Sequence, residues 1–354
     1  MKITRLTRYK VSTNEAVLIT KSCYGINGTA IELNGERDRN FLIINPNGNK
    51  FILKISNPAD SEEIIDFQNK LLFHLASKNG QWKWQKPQVG LNGEFICDYE
   101  TLDGNQLKVR LLTFLDGILL ADFSPHDFSL MHDLGDFIGH ISQSLSGFIH
   151  PAMHRKLFWD LKNGVELVKT HLKDINDNKR IDKISSLIDK IESTEALSSN
   201  QLRERVIYND ANHHNVLLQC NKVGKSKIVG AIDFGDSVFS WLVADLAIAC
   251  TYSMLNKDIP LEYARPIVKG FNKTQPLNEL EISSLFSLIC LRTCMSVTIA
   301  AHQKSLYPNN PYLLISEKPA WNLIDKLIKI SSDFAHFSFR HACGLEPSTS
   351  NTLY

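Results

Sequence analysis

The stretch VIYNDANHHNVLL, residues 206–218, places a cluster of polar side chains between two apolar runs. Asp210 and Asn215 lie five residues apart in it, and Asp233 follows eighteen residues after Asn215, at the end of the apolar run in AIDFGD. Carboxylate and amide oxygens are the ligands that Mg²⁺ prefers in proteins. A further carboxylate near such an ion can accept the proton of a hydroxyl nucleophile. The cluster indicates either a catalytic loop or, as the alternative, a solvated turn, and we expect the catalytic loop.

Lys54 is the lone charged residue of the apolar run FILKIS, residues 51–56. A lysine inside a predicted strand can contact nucleotide phosphates. Together with a metal-holding loop and a catalytic base, it completes the set of groups used in kinase-type phosphoryl transfer. The alternative is a lysine that protects an edge strand from aggregation.

Three other polar features allow more than one role. The adjacent His213 and His214 offer zinc ligands, but neighbouring side chains on a loop point in different directions and no third soft ligand lies nearby, so a zinc site is not expected. Asp236 either faces the substrate or caps the following helix. Arg292 interrupts the apolar stretch LICLRTCMSV, where an unpaired guanidinium would be costly. It either pairs with a structural carboxylate or binds a substrate carboxylate.

The spacing of apolar residues in the elements that position these side chains changes along the chain, from the alternation typical of strands to the spacing typical of helices. Asn47-Gly48 predicts a hairpin turn, and Asp60 or Ser61 is expected to cap one early helix. After residue 125 helical spacing dominates, and three short strands flank or follow the polar cluster. The predicted strands are 41–44, 51–56, 94–100, 107–115, 205–208, 216–219 and 227–233; the predicted helices include 157–173, 179–193 and most of 240–335.

Composition limits the class of protein. The 354 residues are 43% hydrophobic and 22% charged with a formal net charge of +1, which predicts a soluble globular protein and gives no reason to expect nucleic acid as a partner. Seven cysteines without a CxxC pair predict neither disulfides nor a zinc ribbon. The two most apolar stretches are interrupted by charges, so no membrane span is expected. We expect a cytoplasmic monomer or homodimer with a small-molecule substrate.

In order and spacing, these motifs resemble those of the kinase-like phosphotransferases typified by aminoglycoside phosphotransferases and choline kinase. The catalytic loop of that superfamily carries D-x-x-x-x-N, as in Asp210 to Asn215, and its metal-binding aspartate follows an apolar strand, as Asp233 does. The resemblance implies an α+β, bilobal protein-kinase-like fold. A small β-rich N-lobe with five strands is expected over residues 1–115, and a larger helical C-lobe over residues 116–354.

The resemblance also implies individual roles. Asp210 is expected to be the catalytic base, Asn215 and Asp233 the Mg²⁺ ligands, and Asp245 a structural residue that holds the catalytic loop. The co-substrate is expected to be ATP or GTP. Its predicted contacts are Lys54 at the α/β-phosphates, Gly35, Arg37 and Asn40 in the phosphate-covering turn 35–40, and Leu112 and Phe114 in the hinge 111–115; the substrate contacts are Asp236 and Arg292.

Several segments are similar to one branch of the superfamily, that of hydroxylysine kinase: LNGERDRNFLI, VRLLTFLDG, YNDANHHNVL, IDFGDS with DLAIA, and HACGLEP. This similarity implies transfer to a hydroxyl of a hydroxylysine-like amino acid or amino alcohol. The alternatives are an aminoglycoside phosphotransferase and a nucleotide-binding pseudokinase. A protein kinase is disfavoured because the chain runs from DFGDS directly into WLVADLAIA, which leaves no room for a peptide-docking activation segment.

Three positions depart from the superfamily pattern. Tyr208 stands where the family often has histidine two residues before the catalytic aspartate; a tyrosine there can still pack and donate a hydrogen bond. The phosphate-covering turn has a single glycine, Gly35. No helix residue is predicted to pair with Lys54, because simple alignment places Gln68 at that position and Glu62 and Glu63 lie more than a turn away.

Overall fold

The computed structural model describes residues 9–35, 37–78, 80–101, 103–194, 201–221, 224–306 and 316–346. The chain divides into two compact units. The first contains the described residues up to Asp116 together with Phe148–Met153, and the second contains Gly117–Gly147 and the described residues from His154 onward. The segment Phe148–Met153 thus packs with the first unit, although the boundary predicted from the sequence assigns it to the second.

The first unit begins with helix α1 (Thr13–Tyr24), which the sequence patterns above do not include. The Ser12 side chain accepts a hydrogen bond of 3.1 Å from the backbone N–H of Glu15 and so caps the helix. The spacing Ser-x-x-Glu is the sequence signature of a capping box, so a signal for this helix was present. Gly25, with a φ of +67°, ends it in the left-handed conformation.

A five-stranded antiparallel sheet follows α1, in the order β1-β2-β3-β5-β4. Gly48 turns the predicted hairpin with a φ of +80°, and Ser61 rather than Asp60 caps the predicted helix α2. The strands are β1 (Thr29–Leu33), β2 (Arg39–Ile44), β3 (Lys50–Ile55), β4 (Cys97–Glu100) and β5 (Gln106–Thr113), and α2 spans Glu62–Ser77.

Alternation along the central strands separates an apolar from a polar face of this sheet. Leu53 and Ile55 on β3 and Val109 and Leu111 on β5 belong to the core that also includes the buried face of α1. Lys54 falls between two of these core positions and therefore points to the other face. Strand β3 lies in the middle of the sheet, so the alternative of an edge-protecting lysine is wrong.

The second unit combines short strands with helices. Strand β7 pairs with β10, and β6, β8 and β9 form a three-stranded sheet. The strands are β6 (Ile118–Leu119), β7 (Glu204–Ile207), β8 (Val216–Cys220), β9 (Ser226–Ala231) and β10 (Val238–Trp241). The helices are α3 (Phe128–Ser144), α4 (Gly164–His171), α5 (Asn178–Glu192), α6 (Leu242–Met254), α7 (Pro260–Thr274), α8 (Glu279–Leu306), α9 (Glu317–Leu327) and α10 (Ser332–Ala342).

The helix predicted over 157–173 is wrong in its first half. Residues 157–163 form turns, including a 3₁₀ turn at Leu161–Asn163, and α4 begins only at Gly164. The buried Asp160 accepts hydrogen bonds from Ser240 Oγ at 2.5 Å and from the backbone N–H of Lys162 at 3.0 Å. Side-chain hydrogen bonds of this kind compete with the backbone hydrogen bonds of a helix, and at Asp160 they form instead of a helical turn.

Helix α8 is long and apolar enough to cross a membrane by length and composition. However, 83% of its most apolar stretch is buried within the protein, as expected for a core helix. The two cysteines on it, Cys290 and Cys294, are buried and unpaired, as expected for positions on the face of a core helix.

Candidate active site

The side chain of Lys54 is buried on β3, paired in register with Asn40 on β2 and Arg110 on β5. Its Nζ lies 3.4 Å from Oδ2 of Asp38, in the turn between β1 and β2. The other oxygen of Asp38 accepts a hydrogen bond of 3.1 Å from the backbone N–H of Asn57. Lys54 therefore has a counter-ion in the predicted phosphate-covering turn, and this pairing offsets part of the cost of burying an ammonium group.

Helix α2 supplies amide side chains to this polar face. Arg110, which is 2% exposed, donates from Nη2 to Oε1 of Gln68 and from Nη1 to Oδ1 of Asn69, the latter at 3.2 Å. Glu62 forms an ion pair of 2.7 Å with Lys108. Residues considered from the sequence as partners of Lys54 thus contact the cations of β5.

The turn between β1 and β2 is tightly folded. A Cβ at Gly35 would lie 2.7 Å from Nδ2 of Asn40 and 2.8 Å from the carbonyl oxygen of Asp38, so glycine is required here by close approach. Arg37 forms a 2.5 Å ion pair with Asp60, and its carbonyl oxygen accepts from Nδ2 of Asn57 at 3.2 Å. Glu36 lies outside the described residues.

The predicted hinge, residues 111–115, begins within the last residues of β5 and continues beyond it. Leu112 is buried and pairs with Ile52 of β3, and the N–H of Phe114 donates to the carbonyl of Lys50 at 3.3 Å. The segment before β4 also contacts the hinge, because the N–H of Thr113 donates to the carbonyl of Lys86 at 3.0 Å. The hinge backbone is therefore already engaged in hydrogen bonds over part of its length.

In the second unit, β7 leads into the polar loop that the sequence singled out. The carboxylate of Asp245, in the first turn of α6, accepts a hydrogen bond of 3.0 Å from the N–H of Tyr208 and one of 2.6 Å from the N–H of Asn209. Asn209 adopts the left-handed conformation, with a φ of +63°. Burial raises the pKa of Asp245 to about 6, although these two hydrogen bonds oppose the rise. The predicted support of the loop by Asp245 is confirmed.

Tyr208 links this loop to the segment that carries Asp233. Its side chain is fully buried, its hydroxyl donates to the carbonyl of Ile232 at 2.5 Å, and its ring centroid lies 4.5 Å from that of Phe234. The prediction that a tyrosine in place of histidine packs and donates a hydrogen bond is confirmed. The N–H of Ile232 donates to the carbonyl of Asn215 at 2.9 Å, so the two segments are joined a second time.

Three side chains orient the carboxylate of Asp210. Nδ2 of Asn212 donates to Oδ1 at 2.7 Å, and Nδ2 of Asn215 donates to Oδ2 at 2.6 Å. Nη2 of Arg292 lies 3.8 Å from Oδ1. Burial and the negative charge of Asp236 raise the pKa of Asp210 to about 8, while the positive charge of Arg292 opposes this rise.

Arg292 is 2% exposed and lies on α8. Its guanidinium carbon is 4.4 Å from the ring centroid of Trp159 and 5.5 Å from that of Tyr252, and Nη1 donates to the carbonyl of Trp159 at 3.1 Å. Aromatic faces attract a guanidinium, so these contacts explain how a cation is held in an apolar helix. The carboxylate that Arg292 approaches is that of Asp210, the predicted catalytic base, rather than a purely structural one.

Asp233 follows β9 and has a φ of +57°. Its Oδ1 accepts from the N–H of Gly235 at 3.2 Å. Arg155, which the sequence did not single out, donates to the carbonyl oxygens of Gly235 and Ser237, the latter at 2.8 Å from Nη2. No sequence pattern marks this arginine, since it lies in an irregular segment far from Asp233 along the chain.

Asn215 and Asp233 suit a divalent cation by their chemistry and placement. Both offer side-chain oxygens, which Mg²⁺ prefers, and they lie on the two segments that the Ile232–Asn215 hydrogen bond joins. His213 is different: burial lowers its pKa to about 3, and its ring centroid is 4.3 Å from that of His214. Within the described ranges, this histidine pair belongs to no group of three His, Cys, Asp or Glu side chains that could hold a metal.

Comparisons with known proteins agree with this geometry. Residues 29–275 match the model of the phosphotransferase enzyme family (APH). The chain is 30% identical over 340 residues to a hydroxylysine kinase of Xenopus laevis, covering 90% of both chains, and 27% identical over 344 residues to one of Bos taurus, covering 91% of this chain and 90% of the relative.

Solved structures with similar folds include two kinases of small molecules. A microcompartment-associated aminopropanol kinase matches with a TM-score of 0.69 at 15% identity, over 95% of this chain and 99% of that one. An amicoumacin kinase, in complex with AMP-PNP, Ca²⁺ and Ami, matches with a TM-score of 0.67 at 15% identity, over 90% of this chain and 96% of that one. The kinase-like α+β fold predicted from the sequence is confirmed. The chain belongs to the phosphotransferase enzyme family, as a small-molecule phosphotransferase homologous to hydroxylysine kinases.

Proposed function

We propose that the protein is a Mg²⁺-dependent kinase that transfers the γ-phosphate of ATP or GTP to a hydroxyl group of a hydroxylysine-like amino acid or amino alcohol. The observation that carries the proposal is the orientation of the Asp210 carboxylate by Asn212, Asn215 and Arg292. A carboxylate held in this way is suited to accept a hydrogen bond from an incoming hydroxyl. The names of the relatives, hydroxylysine kinase and aminopropanol kinase, support an amine-bearing acceptor.

In this mechanism Asp210 orients the acceptor hydroxyl and takes its proton as the oxygen attacks the γ-phosphorus. General-base assistance of this kind contributes about 10²–10⁴-fold to a rate. Asp245 and Tyr208 fix the loop so that Asp210 needs no rearrangement during the reaction. Arg292 keeps the carboxylate in place and compensates its charge.

Asn215 and Asp233 would hold the Mg²⁺, which would neutralise charge on the phosphates. Lys54 would contact the α/β-phosphates, and its ion pair with Asp38 holds the ammonium group beside the turn that would cover them. Gly35, Arg37 and Asn40 would cover the phosphates. For Arg37 to do so, its ion pair with Asp60 has to open.

Asp236 is proposed to face the ammonium group of the acceptor. Its negative charge raises the pKa of Asp210, and an ammonium group bound beside it would relieve the repulsion between the two carboxylates. A cytoplasmic location is part of the proposal, since the cysteines are unpaired.

The test is release of nucleoside diphosphate with ATP and GTP supplied separately, in the presence and absence of Mg²⁺. Acceptors are hydroxylysine, ethanolamine, choline, homoserine, 1-amino-2-propanol and representative aminoglycosides. We expect turnover with a hydroxylated amino acid or small amino alcohol and a loss of about 10²–10⁴-fold in Asp210→Asn. Asp258→Asn is the matched control, because that carboxylate is fully exposed and pairs only loosely with Lys326.

Two outcomes would contradict the proposal. Turnover that is confined to aminoglycosides would assign the protein to antibiotic phosphorylation. Nucleotide binding without turnover on any acceptor, unchanged by Asp210→Asn, would indicate a nucleotide-binding pseudokinase.

A further inference from the structure

Two histidines and an aspartate converge outside the residues assigned to catalysis. His171 is the last residue of α4, Asp174 lies in the 3₁₀ turn Leu172–Asp174 that follows, and His302 lies near the end of α8. Oδ2 of Asp174 is 3.0 Å from Nδ1 of His171 and 2.7 Å from Nδ1 of His302. The two imidazole centroids are 4.1 Å apart. Segments that are distant in the chain thus direct three ligand-type atoms at one point.

The spacing of these atoms suits a transition-metal ion. All three lie within 4.8 Å of one another. In a tetrahedral zinc site, His nitrogens and carboxylate oxygens lie about 2.0–2.2 Å from the metal, so the ligand atoms are roughly 3.3–3.6 Å apart. The present distances are those of hydrogen bonds, and small side-chain rotations would open them to coordination distances without movement of the helices.

The cluster is unusually buried for three polar side chains. The exposed fraction is 5% for the side chain of His171, 22% for that of Asp174 and 15% for that of His302. Nε2 of His171 is buried and has no hydrogen-bond partner among the described residues. In both imidazoles it is Nδ1, not Nε2, that faces the shared point beside the Asp174 carboxylate.

We infer that His171, Asp174 and His302 form a second cation site that binds Zn²⁺ or a similar transition-metal ion, with water in the fourth position. Imidazole nitrogens suit zinc, whereas Mg²⁺ prefers oxygen, so the site is chemically distinct from the proposed magnesium centre. It is also distant from it: His302 lies ten residues after Arg292 on the same helix, which is about 15 Å along the axis.

A metal at this position would tie the end of α4 and its 3₁₀ turn to the end of α8. The three ligands come together only in the folded chain. An ion that binds them would therefore bind the folded and not the unfolded state, and it would raise the stability of the second unit. The role assigned to the site is therefore structural and independent of phosphoryl transfer, and its test does not depend on the proposed function.

The test uses the full-length protein after removal of metals with a chelator, in buffer with millimolar Mg²⁺ to occupy oxygen-rich sites. Zn²⁺ is titrated by competition with a chromophoric chelator, and Co²⁺ is added separately as a spectroscopic probe. We expect one equivalent of Zn²⁺, a rise in melting temperature on binding, and the visible absorption of a four-coordinate Co²⁺ site.

Two variants of the cluster and one control decide the matter. Removal of a group that only supports a zinc ligand weakens binding about 10–100-fold, so loss of a ligand in His302→Gln or His171→Gln is expected to cost more than about 100-fold. His336→Gln is the matched control, because His336 pairs with the single carboxylate of Glu279 at 2.8 Å and should leave zinc binding unchanged. Circular dichroism establishes that each variant is folded.

Zinc binding that survives both cluster variants would overturn the inference, as would the absence of a stoichiometric site in the wild-type protein. In the latter case the three side chains form a hydrogen-bonded contact only. Loss of zinc binding in both cluster variants, with retention in His336→Gln, would establish the site.

Discussion

Replacing Asp245 by asparagine has two opposing effects on stability. It removes a hydrogen bond to the backbone of the catalytic loop, which destabilises the fold, and it removes a buried negative charge, which stabilises it. The side chain is 0% exposed and accepts two backbone N–H groups, those of Tyr208 and Asn209. Asparagine has nearly the same shape but only one oxygen. In either orientation, its NH₂ group faces one of these N–H donors, and that donor loses its partner.

The two effects are similar in size near neutral pH. Losing a hydrogen bond to a charged acceptor costs about 1.5–3 kcal/mol, and a buried unsatisfied donor costs about 1–3 kcal/mol. Against this, a pKa of about 6 in place of 3.8 means that the buried, ionised carboxylate is unfavourable by about 3 kcal/mol, which asparagine avoids. We expect a net destabilisation of only about 0–3 kcal/mol.

The pH dependence distinguishes the two effects. Because the folded-state pKa of Asp245 is raised, its contribution to stability is fully present below the unfolded pKa near 3.8 and is lost as pH rises through about 6. Between about pH 5 and about pH 7.5 the wild-type protein should therefore lose about 1.4 kcal/mol that Asp245→Asn does not lose. The variant should be relatively less destabilised at the higher pH.

Chemical denaturation monitored by fluorescence, at both pH values, measures this difference, and steady-state kinetics measures the effect on catalysis. A displacement of about 1 Å at a reacting group can cost about 10²-fold in rate, so we expect kcat to fall about that much. Asp133→Asn is the control: that carboxylate accepts a backbone N–H from Ile228 at 2.6 Å but does not contact the catalytic loop. It should lower stability and leave kcat nearly unchanged.

The reasoning would be refuted if the stability difference between Asp245→Asn and the wild-type protein were the same at both pH values. It would also be refuted if kcat were unaffected, because the carboxylate would then not be what holds the loop in its active geometry.

Two further predictions concern the neighbours of Asp210. Tyr208→Phe leaves the carbonyl of Ile232 without the tyrosine hydroxyl, so unfolding should become easier by about 1–3 kcal/mol; calorimetry would show a lower melting temperature, and an unchanged one would contradict the prediction. Arg292→Met leaves the Asp210 carboxylate without its buried counter-charge, which for a buried pair costs about 3–5 kcal/mol. We expect lower stability and a reduced kcat with little change in the KM for nucleotide, whereas a large rise in that KM would place Arg292 at the nucleotide instead.

The elements near the site were largely predictable because their signals are local. The hairpin at Asn47-Gly48 depends on a residue that tolerates a positive φ, and the start of α2 depends on a capping serine three residues from its hydrogen-bond partner. The spacing of Asp210, Asn215 and Asp233 could also be read from the sequence, because all three lie on one loop or directly after one of the strands that follow it.

Pairings between distant residues could not be predicted in this way. Lys54 was identified from its strand, but its ion pair with Asp38 depends on how the turn between β1 and β2 folds back over the sheet. The helix predicted from residue 157 failed because Asp160 finds a buried partner in Ser240, eighty residues away. A local propensity is easily overridden when a buried polar group has to be satisfied.

By itself, the sequence determined most of the longer strands and helices, a lysine within a strand and the set of oxygen-bearing side chains that suits phosphoryl transfer. These follow from hydrophobic periodicity, helix-capping residues and residue type, which are properties of neighbouring positions in the sequence. Only the tertiary structure decided that Arg292 faces Asp210 and that His171, Asp174 and His302 share one point, because both arrangements depend on where α8 packs. Packing of a buried helix fixes which polar groups must find each other, and no local pattern carries that information.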